Sequence, residues 1–243
     1  MGTALGWGTL AASSLVIGAL LGLVWSWPER LVGLVLAFGA GALISAVSFE
    51  LAEEGVEVGG AMPVAIGLGL GALTYFVCDT VLDHVTADME ARGNGGGGSG
   101  AGPALALGGV LDGIPEQLVL GIGLATGGAI SIGLLVAIFV SNLPEAIGSA
   151  SELRAAGRSA RAVMVLWIAV AAACALASVV GYAVADTASP GLEGGINGFA
   201  AGALLVLLVD SMIPDATAKS GPIAGVVTVL GFAVATGLSN MTA

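Results

Sequence analysis

The sequence predicts an all-α polytopic membrane protein of eight transmembrane helices, and three observations carry that prediction. Hydrophobic residues make up 57% of the 243 residues and charged residues only 9%, whereas a soluble domain carries ~25% charged residues. Such a chain cannot cover a water-facing surface. Uncharged runs recur along its whole length at about the 20 residues that cross a bilayer, and none alternates apolar and polar positions as a transmembrane β-strand does. Finally, all six basic residues, Arg30, Arg92, Arg154, Arg158, Arg161 and Lys219, fall in alternate connections between runs. Cytoplasmic loops concentrate Lys and Arg, so these connections are expected inside and both termini outside the cell membrane.

The elements follow in order. Span 1 covers about 5–25; it has no basic residue ahead of it and is about twice as long as a signal-peptide core, so it is expected to remain in the mature protein. Spans 2 and 3 cover about 31–51 and 59–83. The segment 84–103 holds His84 and a GGGGSG run and reads as a flexible cytoplasmic loop. The apolar region that follows is long enough for two helices, and the turn signal Ala125-Thr126-Gly127-Gly128 divides it into spans 4 (104–126) and 5 (129–151). Spans 6, 7 and 8 cover about 162–185, 194–213 and 222–241, making a single transmembrane domain over 1–243. Pro28, Pro63, Pro103, Pro190 and Pro222 stand at or near helix starts, where a missing N–H costs nothing. Closely spaced glycines within the spans allow close helix approach. Cys78 and Cys174 lie in apolar runs and are expected as buried thiols. The net charge of −11 leaves no basic face for nucleic acid.

Acids within the spans carry the chemistry. Glu50, Asp79, Asp112, Glu116, Glu145 and Asp210 lie inside or at the ends of spans, and no span interior contains a Lys or Arg. An acid at a helix centre costs ~2.5–3.5 kcal/mol, so Asp112, Glu116, Glu145 and Asp210 together cost roughly 10 kcal/mol unless protons or a bound cation offset it. Asp112 and Glu116 are four apart, and Asn142 and Glu145 three apart, so each pair shares one helix face. The segments Asp112-Gly113-Ile114-Pro115-Glu116 and Ser141-Asn142-Leu143-Pro144-Glu145 also match in placing proline directly before glutamate. Pro115 and Pro144 each remove a helical hydrogen bond, freeing the Leu111 and Val140 carbonyls and kinking the helix beside the acids. Because spans 4 and 5 run oppositely, the repeated motif forms an inverted pair, a pattern found in transporters. Outer acids, Glu50, Glu53, Glu54 and Glu57, could gather cations at a mouth or simply be solvated. Asp79 with Asp83 and His84, and Asp210 with Pro214, read either as exit positions or as solvated helix ends.

These motifs resemble those of the ZIP (Zrt/Irt-like) family of metal-ion transporters. The paired Pro-Glu motifs carry the resemblance, together with the glycine-rich run from Phe199 through Asp210 to Pro214 and the run from Phe38 through Glu50 and Glu54. The resemblance implies helices arranged three, two, three, a homodimer, and a divalent cation held between spans 4 and 5 and moved towards the cytoplasm by alternating access. Carried over by position, it implies Asp112, Glu116, Asn142 and Glu145 as metal ligands, with Ser141 at a neighbouring ligand position. The chain departs from the family in having Asp112-Gly113 where His-Asn is usual, PEQ and PEA where PEG is usual, and no span 6 carboxylate. Oxygen-only sites suit harder cations, so Mn²⁺ and Fe²⁺ stand beside Zn²⁺ as the transported substrate. The expected function is therefore uptake of a divalent metal cation, with no resident cofactor and no enzymatic activity. No GxxxxGK[ST] phosphate-binding motif is present to couple ATP. The alternatives are a non-transporting metal sensor or partner subunit, and a proton or small-molecule carrier using the same acids. An aspartyl protease built on Asp112 and Asp210 lacks a GxGD sequence.

Overall fold

The computed structural model describes residues 1–92, 101–125, 132–185 and 188–242, and every regular element among them is helical. In chain order these are α1 (Gly2–Val24), α2 (Glu29–Ser45), α3 (Glu54–Gly59), α4 (Ala61–Arg92), α5 (Ala101–Ala125), α6 (Ile132–Ala155), α7 (Ala160–Ala185), α8 (Pro190–Leu207), α9 (Ile213–Ser220) and α10 (Ile223–Thr242). A π-helical segment, Ala46–Glu53, joins α2 to α3, and a second, Leu208–Met212, joins α8 to α9. Among the described residues, six helical stretches are long and apolar enough to cross a membrane: Gly2–Val24, Glu29–Gly59, Ala61–Val81, Ile132–Ala155, Ala160–Ala185 and Pro190–Ser220. Gly113–Ala125 and Ile223–Ser239 are shorter apolar helices. This is the architecture of a polytopic membrane protein.

The observed helices differ from the expected spans in three places. The second stretch continues past position 51 to Gly59, because wide π turns carry the helix through the Glu50 region instead of ending it. It stops at Gly60, whose φ of 85° only glycine adopts without strain. The seventh likewise continues beyond the expected end at 213 to Ser220: the π segment ends at Met212, and Pro214 is the second residue of α9, where its missing N–H is harmless. Pro214 is thus a helix-start residue, not a terminator. Lastly, α4 runs to Arg92 and α5 begins at Ala101, so both ends of the expected loop 84–103 are helical. Its centre, with the GGGGSG run, lies outside the described residues, as does the 126–128 part of the expected turn after Ala125.

Glycine contacts give the helix directions. Gly18 faces Leu143 and Ala146, and Gly22 faces Ile147, so α1 and α6 run parallel. In the same way Gly67 and Gly71 of α4 meet Gly195 and Phe199 of α8, and Gly113 and Gly121 of α5 meet Cys174 and Ser178 of α7. Phe38, Gly41 and Ser45 of α2 pair in order with Gly231, Phe232 and Thr236 of α10, again parallel. α2 and α6 are antiparallel: Gly39 lies against Ser141, whereas Glu50 lies near Gly133. The start of α1 and the end of α10 therefore reach the same end of the bundle.

Two apolar cores result. One joins α1, α6 and α7 around the fully buried Leu15, Leu153 and Trp167. The larger links α2, α8 and α10 to α5 and α6 through Leu43, Ile138, Leu204 and Leu207. An apolar gap of about 110 Å³ remains between α5, α7 and α8 beside Pro115. Of the two cysteines, Cys174 is buried as expected, but Cys78 is exposed on α4, as are its neighbours Phe76, Val77 and Val81.

Candidate functional site

The paired motifs meet. α5 and α6 pass through Pro115 and Pro144 without interruption, and each carries its glutamate immediately after the proline. Glu116 is buried, and its Oε1 accepts a hydrogen bond of 2.9 Å from Ser141 Oγ. The same hydroxyl lies 3.0 Å from the Ile138 carbonyl. A serine hydroxyl has one proton, so it donates to one oxygen at a time or is shared between them. The site can therefore hold Glu116 firmly or release it at little cost.

Gly39 lets α2 lie directly against Ser141 of α6. A methyl group there would lie 2.9 Å from Ser141 Cα and 3.0 Å from its nitrogen, closer than real Cβ atoms come to backbone. Asn142 is buried beside Ser141, and its Nδ2 has no hydrogen-bond partner among the described residues. Such a group loses a hydrogen bond it would make in water, a cost of ~1–3 kcal/mol. Buried polar atoms of this kind call for a water, an ion or a second conformation.

One turn further along α6, Glu145 is half-buried and lines a cleft of about 150 Å³ that extends along Ser149 and Glu152 to Asp215 and Lys219. Positions 141, 145, 149 and 152 form one stripe on α6, facing Val32 and Leu36 of α2. In the other direction along the same seam, Ala40, Leu43, Ala137 and Ile138 are completely buried and apolar. Polar access to Glu145 thus lies on the Glu152 side.

Of the four expected metal ligands, Glu116, Asn142 and Glu145 lie on the facing motif segments. Asp112 belongs to α5 one turn before Glu116, but its side chain lies outside the described residues. Among the described residues no three His, Cys, Asp or Glu side chains gather as a metal cage, so an acid-only cage depends on Asp112. The expected path residues separate. Glu50 accepts a 2.6 Å hydrogen bond from Ser239 Oγ, and its Oε1 lies 3.3 Å from where a Cβ on Gly133 would stand, in the first turn of α6. Glu54 is half-buried where α3 begins, Asp79 half-buried on α4, and Asp210 exposed within the second π segment, so Asp210 does not join the buried carboxylates. The π segment turns it outward with Val209.

Gln117 adds a buried polar group beyond the expected site residues. It is completely buried on the same α5 face as Gly113 and Gly121, towards α7, and neither end of its amide has a hydrogen-bond partner among the described residues. Its signal was present in the sequence as the PEQ departure from PEG.

Ser141→Ala removes the hydroxyl without touching a carboxylate. Groups that orient ligands are worth 10–100-fold in metal affinity, so this variant is expected to fold normally and weaken Zn²⁺ binding by about tenfold in calorimetry.

No protein-family model matches the chain. A curated Arabidopsis thaliana protein named "Putative zinc transporter" is similar to it, 28% identical over 194 residues, a match covering 78% of this chain and 30% of that protein. The chain thus spans less than a third of the length of the relative it matches.

Proposed function

We propose that the chain is a ZIP-like transporter that moves a divalent cation, Zn²⁺, Mn²⁺ or Fe²⁺, into the cytoplasm through a carboxylate site between α5 and α6. One observation carries this reading: a buried glutamate on one proline-containing helix is hydrogen-bonded to a second such helix, one turn from that helix's own glutamate. A carboxylate buried among apolar helices needs a proton or a cation. Glu116 and Glu145, with Asp112 and the Asn142 amide oxygen, offer hard oxygen donors and three formal negative charges. One divalent ion and one proton would neutralise them.

The proposed chain crosses a cell membrane eight times with both termini outside, and works as a homodimer. In that orientation the Glu145 cleft opens towards the cytoplasm, as an inward-open carrier requires, while the fully buried Leu43 and Ile138 of one apolar core close the seam above it. The gap beside Pro115 leaves room for α5 to shift against α8. The zinc in the relative's name supports a metal as cargo.

The test is uptake of each metal into proteoliposomes containing the purified chain. Saturable uptake is expected, at least a hundredfold reduced in the Glu116→Ala plus Glu145→Ala double variant. Unchanged flux in that variant would overturn the assignment.

A further inference from the structure

The inner cleft contains a feature that metal binding at Glu116 does not require. Lys219, the single lysine of the chain, lines the same cavity as Glu145, Glu152 and Asp215. Its Nζ lies 3.3 Å from Asp215 Oδ2 one helical turn away, and its side chain is about one-third exposed. The stem is fixed by packing: a methyl group on Gly33 of α2 would stand 2.7 Å from Lys219 Cβ and 3.0 Å from the Ser220 nitrogen. α2 is therefore cut away at Gly33 to let α9 bring this lysine to the cleft.

An exposed pair four residues apart on a helix adds little to stability. A basic residue marking a cytoplasmic loop could stand anywhere in that loop. Neither role accounts for a lysine on the lining of the cleft that also holds Glu145 and Glu152. The charges do: three carboxylates and one ammonium leave two formal negative charges along the cleft, matching one divalent cation.

We propose that Lys219 is a tethered counter-cation at the inner mouth of the cleft, competing with the transported metal for Glu152 and Asp215 and so hastening its release to the cytoplasm. A divalent ion descending from Glu145 passes Glu152 about 10 Å further along α6, at ~1.5 Å per residue. Without the lysine, that ion would meet two uncompensated carboxylates and linger. With it, the acids guide the ion while the ammonium keeps them from becoming a trap. Lys219 acts through the acids and the ion's electrostatics and is a positioning residue, not a ligand. This inference rests on the transport reading above.

The experiment uses the purified full chain, with Zn²⁺ binding by calorimetry and Zn²⁺ uptake into proteoliposomes. Lys219→Met keeps the stem over Gly33 and removes the charge; Lys219→Arg keeps the charge. The Met variant is expected to bind Zn²⁺ about tenfold more tightly and to turn over severalfold more slowly, with both changes shrinking as salt rises. The Arg variant should match the wild type. Because the chain has one lysine, acetylation of the folded protein neutralises the same charge without refolding, and should reproduce the Met phenotype in the wild type but not in Lys219→Arg. Met and acetylated proteins that bind and move Zn²⁺ like the wild type would overturn the proposal and leave transport standing, as would Arg and Met variants shifted alike. A wild type that moves no Zn²⁺, Mn²⁺ or Fe²⁺ would overturn both readings.

Discussion

Glu116→Gln is expected to give a protein that folds at least as stably as the wild type in the absence of metal, yet gains no stability from metal and transports none. The carboxylate it replaces is buried, and its Oε1 already accepts from Ser141. The Gln side-chain oxygen can accept the same hydrogen bond while carrying no charge that must be neutralised inside the membrane. A ligand that binds only the folded state stabilises it by about 2.7 kcal/mol at a hundred times its Kd. Thermal unfolding in detergent with and without Zn²⁺ should therefore show a marked upward shift in Tm for the wild type and almost none for the variant. A variant that unfolds early without metal, or whose Tm still rises fully with it, would show that Glu116 is a structural group and not a ligand.

Gly41→Val is expected to prevent assembly. A Cβ at this position would collide with the Thr228 carbonyl oxygen of α10 and stand 2.8 Å from the Phe232 nitrogen, and backbone on both sides leaves no flexible side chain to yield. Forcing extra carbon into a packed contact costs ~1–3 kcal/mol or more, and the crossing here also holds the Ser45–Thr236 hydrogen bond of 2.8 Å. Gly69 provides the control, because a Cβ there meets nothing within 4 Å. Size-exclusion chromatography of detergent extracts should give a monodisperse peak for Gly69→Val and aggregate for Gly41→Val. Comparable peaks from both would mean that α2 and α10 are not held by this close approach.

The two glycines also show where sequence reading stops. Both lie in apolar, glycine-rich runs, and nothing local separates them. Only the neighbouring helix makes one indispensable and the other replaceable. The same holds for the π segments. Wide turns in 46–53 and 208–212 have no hydropathy signature, so Glu50 read as the end of a span and Pro214 as a terminator, although both helices continue. Cys78 lies on the outside for a related reason: a span that is apolar all round does not reveal which face packs inward. Cys78 and Asp210 are exposed, whereas Gln117, with no marked periodicity to announce it, lies wholly inside.

What the sequence determined by itself was the solvent and the chemistry. Apolar runs of bilayer length with few charges admit only helices that satisfy their own backbone. Acids beside prolines on two such helices, in a chain whose span interiors hold no Lys or Arg, mark a place where charge must be met by a proton or cation. What the tertiary structure decided was which of those acids share a site. Ser141 bridges to Glu116 where α6 meets α5, and Gly39 lets α2 lie against the Ser141 backbone from the other side of α6. Glu145 opens onto a cleft with Glu152, Asp215 and Lys219 because α9 continues past Pro214, and Glu50 is drawn to the first turn of α6. Hydropathy is a sum along the chain and survives any rearrangement of the helices. A binding site is a set of distances between helices, fixed only when small residues choose which faces touch.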